Sequence, residues 1–281
     1  MPSIIQSIRE YLPDKSLLDQ RPDFDDDLSQ PLFRKGSNVG CLTLHGGGGT
    51  PANIRVVADA LADRGCTVLS PTLPGHGKTV RALNASTGEQ WLNCALAAYD
   101  RLKEEGCAKI LVFGLSLGGV LAGLIAERRK PDGLMMICAP LRLQRYLRAA
   151  RFISPLLPVV RYPDDGADEN TSWRSDPYAQ MYDGFSTVKL WDLNRLIRLL
   201  NRDLGRIACP VLAVQARHDD KVDPRSIELL RQGLSSAAPL EYVMLEDSPH
   251  GCTYGPERAL VAALAAGFAA RVIDNSAVLS V

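Results

Sequence analysis

From residue 38 onward the chain alternates between two hydrophobic patterns. "NVGCLTLHG" is an apolar run that ends in glycine and reads as a buried strand. "ANIRVVADALADRG" follows with Ile54, Val57, Ala58 and Leu61 on one helical face and Gly65 as a stop. "CTVLSPTLPG" is a strand again. "GEQWLNCALAAYDRLKEEG" puts Trp91, Leu92, Ala95, Leu96, Tyr99 and Leu102 on an inward helical face. Then come the strand "KILVFGLS", the helix "LGGVLAGLIAERRK" and the strand "GLMMICAP". Toward the end "CPVLAVQARHD", "PRSIELLRQGL", "LEYVMLED" and "PERALVAALAAGFAARVI" repeat strand, helix, strand, helix. Strands that are apolar along their whole length and alternate with helices predict an α/β fold: a mostly parallel central sheet flanked by helices.

The alternation breaks between Leu141 and Ala208. That stretch holds helical pieces, "LRLQRYLRAARFI" and "VKLWDLNRLIRLLNRDL", around the loop "RYPDDGADENTSW". It predicts an all-helical cap insertion over 141–207, dividing a core of 32–140 and 208–281. An insertion there lies above the carboxyl ends of the strands, where open α/β sheets bind ligands. Its apolar residues are "FISPLLPVV", Trp173, Tyr178, Trp191, Leu193, Leu196, Ile197 and Leu200. Most are expected to pack on the sheet domain and the remainder to line a pocket. Arg142, Arg145, Arg148 and Arg151 recur every three residues, which on a helix makes a basic stripe: a solvated face, or one that meets an anionic group or a lipid headgroup. Residues 1–31 form an N-terminal extension. Its segment "DQRPDFDDDLSQPL" is acidic and broken by prolines, and reads as a loop wrapped over the surface.

Composition narrows the function classes. The chain has 281 residues with a formal net charge of zero. It can bury a core without disulfide staples, and no overall field favours nucleic acid. Seven cysteines occur, with no CxxC and no zinc-finger spacing. They read as reduced thiols of a cytoplasmic protein. "MPSIIQSIREYLPDK" lacks the basic region, apolar core and cleavage site of a signal peptide. No run reaches the roughly 18 apolar residues of a membrane span. The expected partner is a small molecule, with no nucleic acid and no stable membrane insertion.

The candidate chemistry begins in "KILVFGLSLGGVLAGLIAERRK". A strand, then Gly114-Leu115-Ser116-Leu117-Gly118, then a helix is what a strained nucleophile turn requires. The helix that begins at Leu117 directs its amides and positive end toward the Ser116 hydroxyl. A serine needs a base and the base needs a carboxylate, in the chain order Ser, acid, His. His250, in "LEDSPHG", follows the last apolar strand and every candidate acid. The segment "HDDKVD" offers Asp219, Asp220 and Asp223. Asp219 is the first carboxylate past the strand end, Asp220 comes next, and Asp247 reads as surface. Two backbone donors would complete the site, the amides of Leu117 and of Gly47 in "LHGGGGT". His45 and His76 read as residues that order their loops, and His218 as a surface residue. Phosphate binding is discounted, since neither GxxxxGK[ST] nor GxGxxG occurs.

Together "LTLHGGGGT", "SPTLPGHGKT", "FGLSLGG", "PVLAVQARHDDKVDP" and "DSPHG" resemble the α/β-hydrolase superfamily. Within it they look most like bacterial carboxylesterases and monoacylglycerol-lipase-type esterases with a small helical cap. The resemblance covers about residues 32–272. It implies a Ser116, Asp219, His250 triad, an oxyanion hole from the Gly47 and Leu117 amides, and no cofactor or metal. One departure is Gly47, where family members often carry a bulky apolar residue. The expected activity is hydrolysis of carboxylic esters, short-to-medium acyl esters or monoacylglycerols, through an acyl-serine. The same triad also serves thioesterases, amide and C–C hydrolases, acyltransferases and perhydrolases. A catalytically silent ligand-binding protein is the alternative outside enzymes.

Overall fold

The computed structural model describes residues 16–19, 24, 26–150, 152, 154–161 and 176–274. In chain order the elements are α1 (Ser16–Asp19), α2 (Asp26–Ser29), β1 (Leu32–Arg34), β2 (Val39–Leu44), α3 (Arg55–Asp63), β3 (Thr67–Ser70), α4 (Val80–Ala85) and α5 (Gly88–Glu104). Then come β4 (Lys109–Leu115), α6 (Leu117–Arg129), β5 (Gly133–Ile137), α7 (Arg145–Ala150), β6 (Val159–Arg161), β7 (Gly184–Ser186) and α8 (Lys189–Asp203). The chain closes with β8 (Val211–His218), α9 (Ser226–Gly233), β9 (Leu240–Pro249) and α10 (Arg258–Ile273).

Seven strands form one sheet in the order β1-β3-β2-β4-β5-β8-β9. All pairs are parallel except β1 with β3. Side chains alternate between the two faces of a strand. Leu42, Leu44, Ile110, Val112, Leu134 and Met136 therefore pack into one apolar cluster with α5, α6 and α8. Cys41, Leu111, Phe113, Met135 and Ile137 pack into another with α3 and α10. Coverage on both faces is why these strands are almost wholly apolar. From β2 the chain adds β3 on one side and then crosses to β4 on the other. The sheet thus has its switch point at the carboxyl ends of β2 and β4, where a crevice opens.

The stretch expected to be all-helical is not. It contains α7 and α8, but β6 and β7 pair as a two-stranded antiparallel ribbon, with Val160 opposite Phe185. The β-branched pair Val159-Val160 after Pro158 favours extended backbone, but three residues carry too little alternation to show a strand. The helix read over "LRLQRYLRAARFI" is confined to α7. Trp173 and Arg151 lie outside the described residues. Helix α8 buries Leu190, Leu196, Ile197 and Leu200, while Trp191 faces outward at 44% exposure.

In the N-terminal extension the described parts are more than a loop. Leu17 and Phe24 are buried, and Phe24 meets Tyr182 edge-on at 5.7 Å. Strand β1, an antiparallel edge, also went unread in the sequence. Among the described residues no helix is long and apolar enough to cross a membrane, and all seven cysteines are unbridged.

Candidate active site

Ser116 sits at the switch point, between the end of β4 and the start of α6. Its backbone is in a strained left-handed region, φ 52° and ψ −115°. The neighbouring glycines permit the turn by close approach. A Cβ on Gly114 would lie 2.1 Å from the Gly118 carbonyl oxygen, and one on Gly118 would lie 2.1 Å from that of Leu44. Both contacts are backbone, so no side chain can yield. The Ser116 amide donates to the Ile137 carbonyl at 2.8 Å, which anchors the turn to β5.

His250 follows β9, and Asp219 follows β8. The structure brings both to Ser116. His250 Nε2 lies 2.9 Å from Ser116 Oγ, and Nδ1 lies 2.8 Å from Asp219 Oδ2. A carboxylate only accepts, so Nδ1 carries the proton and Nε2 presents its lone pair to the Ser116 hydroxyl.

The Asp219 side chain is 2% exposed. Its Oδ1 accepts the amides of Lys221 at 2.8 Å and Val222 at 2.9 Å, and Oδ2 also accepts Gln215 Nε2 at 3.1 Å. Burial raises the pKa of this carboxyl, but the charge and hydrogen bond of His250 and the two amides outweigh burial. The net pKa is below the ordinary carboxylate value. The other acids are placed elsewhere. Asp220 is exposed and pairs with Lys221, Asp223 pairs with Arg142 and Arg225, and Asp247 is exposed. Sequence reasoning missed Gln215. Its signal was faint, an amide side chain inside the otherwise apolar "PVLAVQA".

His45 is fixed as one tautomer. Its Nε2 accepts the Leu73 amide at 3.0 Å, so Nδ1 donates to the Gly46 carbonyl at 2.8 Å. The same carbonyl accepts the Gly49 amide at 3.3 Å. Two donors thus lock the Gly46–Gly47 peptide, whose planarity sets the Gly47 N–H opposite to that carbonyl. Burial pushes the His45 pKa down to about 4, against the pull of the Gly46 carbonyl, and keeps the ring neutral. Gly46 is close to Ser116, since a Cβ on it would meet Ser116 Cβ at 3.6 Å. Leu117 is the first residue of α6, so its N–H has no partner within the helix. His76 is buried behind this loop, edge-on to His45 at 5.0 Å and to Trp91 at 5.4 Å. His218 ends β8 and is exposed.

Cys138, Asp219 and His250 place one ligand-type atom each within 4.8 Å of one another. They do not make a fitting metal site. His250 and Asp219 are spent on each other, and the Cys138 thiol lies 3.6 Å from Cys252 Sγ. That hydrogen bond, together with burial, pushes its pKa well above the ordinary thiol value and keeps it protonated.

A solvent-open cavity lies over Ser116, with about 1010 Å³ of empty space that includes the solvent at its mouth. Its floor includes Gly46, Gly47, Leu117 and His250, and its roof comes from the insertion through Leu147, Tyr182, Phe185, Leu190 and Leu193. Ser116 and His250 are thus open to a small molecule held beneath an apolar roof, while Asp219 is shut away from water. Such an arrangement can activate a hydroxyl for attack on an electrophilic carbon.

Comparison with known proteins agrees. The alpha/beta hydrolase family model matches residues 41–264. A thermostable monoacylglycerol lipase of Bacillus sp. (strain H-257) is 32% identical over 236 residues, which are 83% of this chain and 91% of that protein. A carboxylesterase of Bacillus subtilis (strain 168) is 28% identical over 239 residues, 83% of this chain and 92% of that one. Among solved structures, one from work on LipS and LipT, two metagenome-derived lipolytic enzymes, superposes with a TM-score of 0.76 at 29% identity. It covers 87% of this chain and 98% of the other.

Proposed function

Since this chain belongs to the alpha/beta hydrolase family, we propose that it hydrolyses carboxylic esters through an acyl-serine intermediate on Ser116. The observation that carries the reading is the continuous hydrogen-bonded line Asp219–His250–Ser116 at 2.8 and 2.9 Å beneath an apolar cavity. The two Bacillus relatives support esters as the substrate class.

In this reading Ser116 Oγ attacks the ester carbonyl as His250 Nε2 takes its proton. Asp219 holds the imidazole in the required tautomer and stabilises the imidazolium. The Leu117 and Gly47 amides receive the oxyanion, and each such donor contributes about 3 kcal/mol to lowering the barrier. His250 then returns its proton to the departing alcohol. Water enters, and the same steps release the acid.

The apolar roof and the relatives favour short-to-medium acyl esters or monoacylglycerols. Residues 141–207 serve as the cap of this reading. The cap also carries Tyr146, Phe152, Leu156 and Trp191, four of the six exposed large hydrophobic side chains among the described residues, with the exposed Arg145 beside them. These support transient contact with an anionic lipid surface. A Phe152→Ser, Trp191→Ser double variant should sediment less with anionic vesicles, and equal sedimentation would remove that contact. Seven unbridged thiols support a reducing, cytoplasmic setting.

The deciding test is hydrolysis of p-nitrophenyl esters from acetate to palmitate by wild type and Ser116→Ala. We expect kcat to fall at least about a thousandfold in the variant. Equal rates in the two would refute Ser116 as the nucleophile.

A further inference from the structure

Two peptide planes hold Asp219 Oδ1. The Asp220–Lys221 peptide donates its N–H at 2.8 Å, and the Lys221–Val222 peptide donates its N–H at 2.9 Å. In a trans peptide the carbonyl points away from the N–H, so each plane has a second end. Both second ends are held by the insertion. The Asp220 carbonyl accepts from Tyr146 Oη at 3.0 Å, and the Lys221 carbonyl accepts from the Gln144 amide at 2.9 Å. A hydrogen bond at the carbonyl fixes the plane and polarises its N–H, which strengthens the bond at the far end.

The contact extends along both segments. Leu143 forms an antiparallel bridge with Val222, and Gln144 Nε2 donates to the Val222 carbonyl at 3.1 Å. The Asp223 amide donates to the Arg142 carbonyl at 2.9 Å, and the Arg142 amide donates to Ser226 Oγ at 3.1 Å. Residues 142–146 are thus stitched to the loop that carries the acid. Leu143 and Leu147 of the same segment line the cavity, while Gln144 and Tyr146 bond the loop. Oδ2 of Asp219 is held from the sheet side, by His250 and Gln215. Oδ1 is held through planes that the insertion fixes.

Building on the ester-hydrolase reading, we propose that Gln144 and Tyr146 are positioning residues for the triad, and that the insertion, besides roofing the cavity, aims Asp219 through the Asp220–Lys221 and Lys221–Val222 peptides. Both residues act through Asp219 and not on the substrate. Asp219 matters most when His250 becomes an imidazolium, which happens in the transition state. Loosening its aim therefore lowers kcat and leaves KM in place.

The test removes the two carbonyl partners in the full-length enzyme. Tyr146→Phe deletes one hydroxyl at a side chain that is 52% exposed. Gln144→Pro deletes the amide donor, at a position just before α7 and after Leu143, whose bridged, extended backbone suits a following proline. With a p-nitrophenyl ester the double variant should lose on the order of tenfold in kcat, with KM within about twofold. If Gln144→Pro does not fold, Tyr146→Phe alone is read in the same way, with a loss of about threefold. A loss that appears in KM, or no loss at all, overturns the proposal. The same substitutions are then made on Asp219→Ala, whose residual rate should stay above that of Ser116→Ala. With no carboxylate to aim, they should change kcat less than about twofold. An equal factor in both backgrounds would show that they act elsewhere, and would also overturn the proposal. Should no ester be cleaved, the ester reading fails by itself. The same ratios are then read from the rate at which a serine-directed organophosphonate labels Ser116, which needs the triad but no ester.

Discussion

Asp219 and His250 meet at 2.8 Å through Oδ2 and Nδ1, whereas the adjacent Asp220 turns outward to Lys221. One residue of chain separates a carboxylate with 2% exposure from one with 59%. Loss of the buried carboxylate removes the group that sets the His250 tautomer, so Asp219→Asn should lower kcat by about 10³–10⁴. Asp220→Asn removes a surface ion pair and should stay within about 0.5 kcal/mol in stability. Steady-state kinetics on one p-nitrophenyl ester decides. An inert Asp220→Asn beside an active Asp219→Asn would reverse the assignment.

How much of this was legible in the sequence depended on how local the signal was. Strands β2, β4, β5 and β8 were readable because burial on both faces makes most of each run apolar. Ser116 was readable because the turn's steric demand forces Gly114 and Gly118. Asp219 was chosen by its position after a strand, and the structure shows a physical basis for that choice in the Lys221 and Val222 amides. Gln215 was hidden, since its partner is set only when the β8 end folds back. Phe24 packs on Tyr182 and Leu17 lies beside Gly184, each more than 150 residues away, and no local pattern can record that. The β6–β7 ribbon was lost because three-residue strands have no period to detect.

His45 gives a pH signature. Burial lowers its pKa from the ordinary imidazole value of 6.5 to about 4. Below pH 6.5 the unfolded chain takes up a proton that the folded chain refuses. Stability from this group is therefore complete above about pH 6.5 and declines as pH falls toward 4, by about 3 kcal/mol in all. The neighbouring His76, buried beside it, shifts in the same direction. Urea denaturation of wild type and His45→Gln at pH 7, 6, 5 and 4.5 should give curves that converge on acidification. The variant starts lower at pH 7, because the Gly46 carbonyl and Leu73 amide lose their partner. Parallel curves would mean that His45 is not held neutral in the folded state.

The approach of α6 to β2 gives the last test. Gly118 lies where a Cβ would sit 2.1 Å from the Leu44 carbonyl oxygen, and β2 is an interior strand paired on both sides. Neither partner can retreat without disturbing the sheet or the turn that holds Ser116. Gly118→Ala should therefore cost about 3 kcal/mol or more of stability. A displacement of Ser116 by about 1 Å should cost a further hundredfold in kcat. Gly47 is the contrasting position, where a Cβ would meet Leu117 Cδ2 at 3.6 Å, an ordinary contact. Its backbone is not left-handed, so Gly47→Ala should be neutral or stabilise by about 0.5 kcal/mol through the unfolded state. Denaturant midpoints for the two variants should move in opposite directions or differ severalfold in size. Equal, small shifts would show that helix and strand have slack between them, and that the glycine after Ser116 is not required by packing.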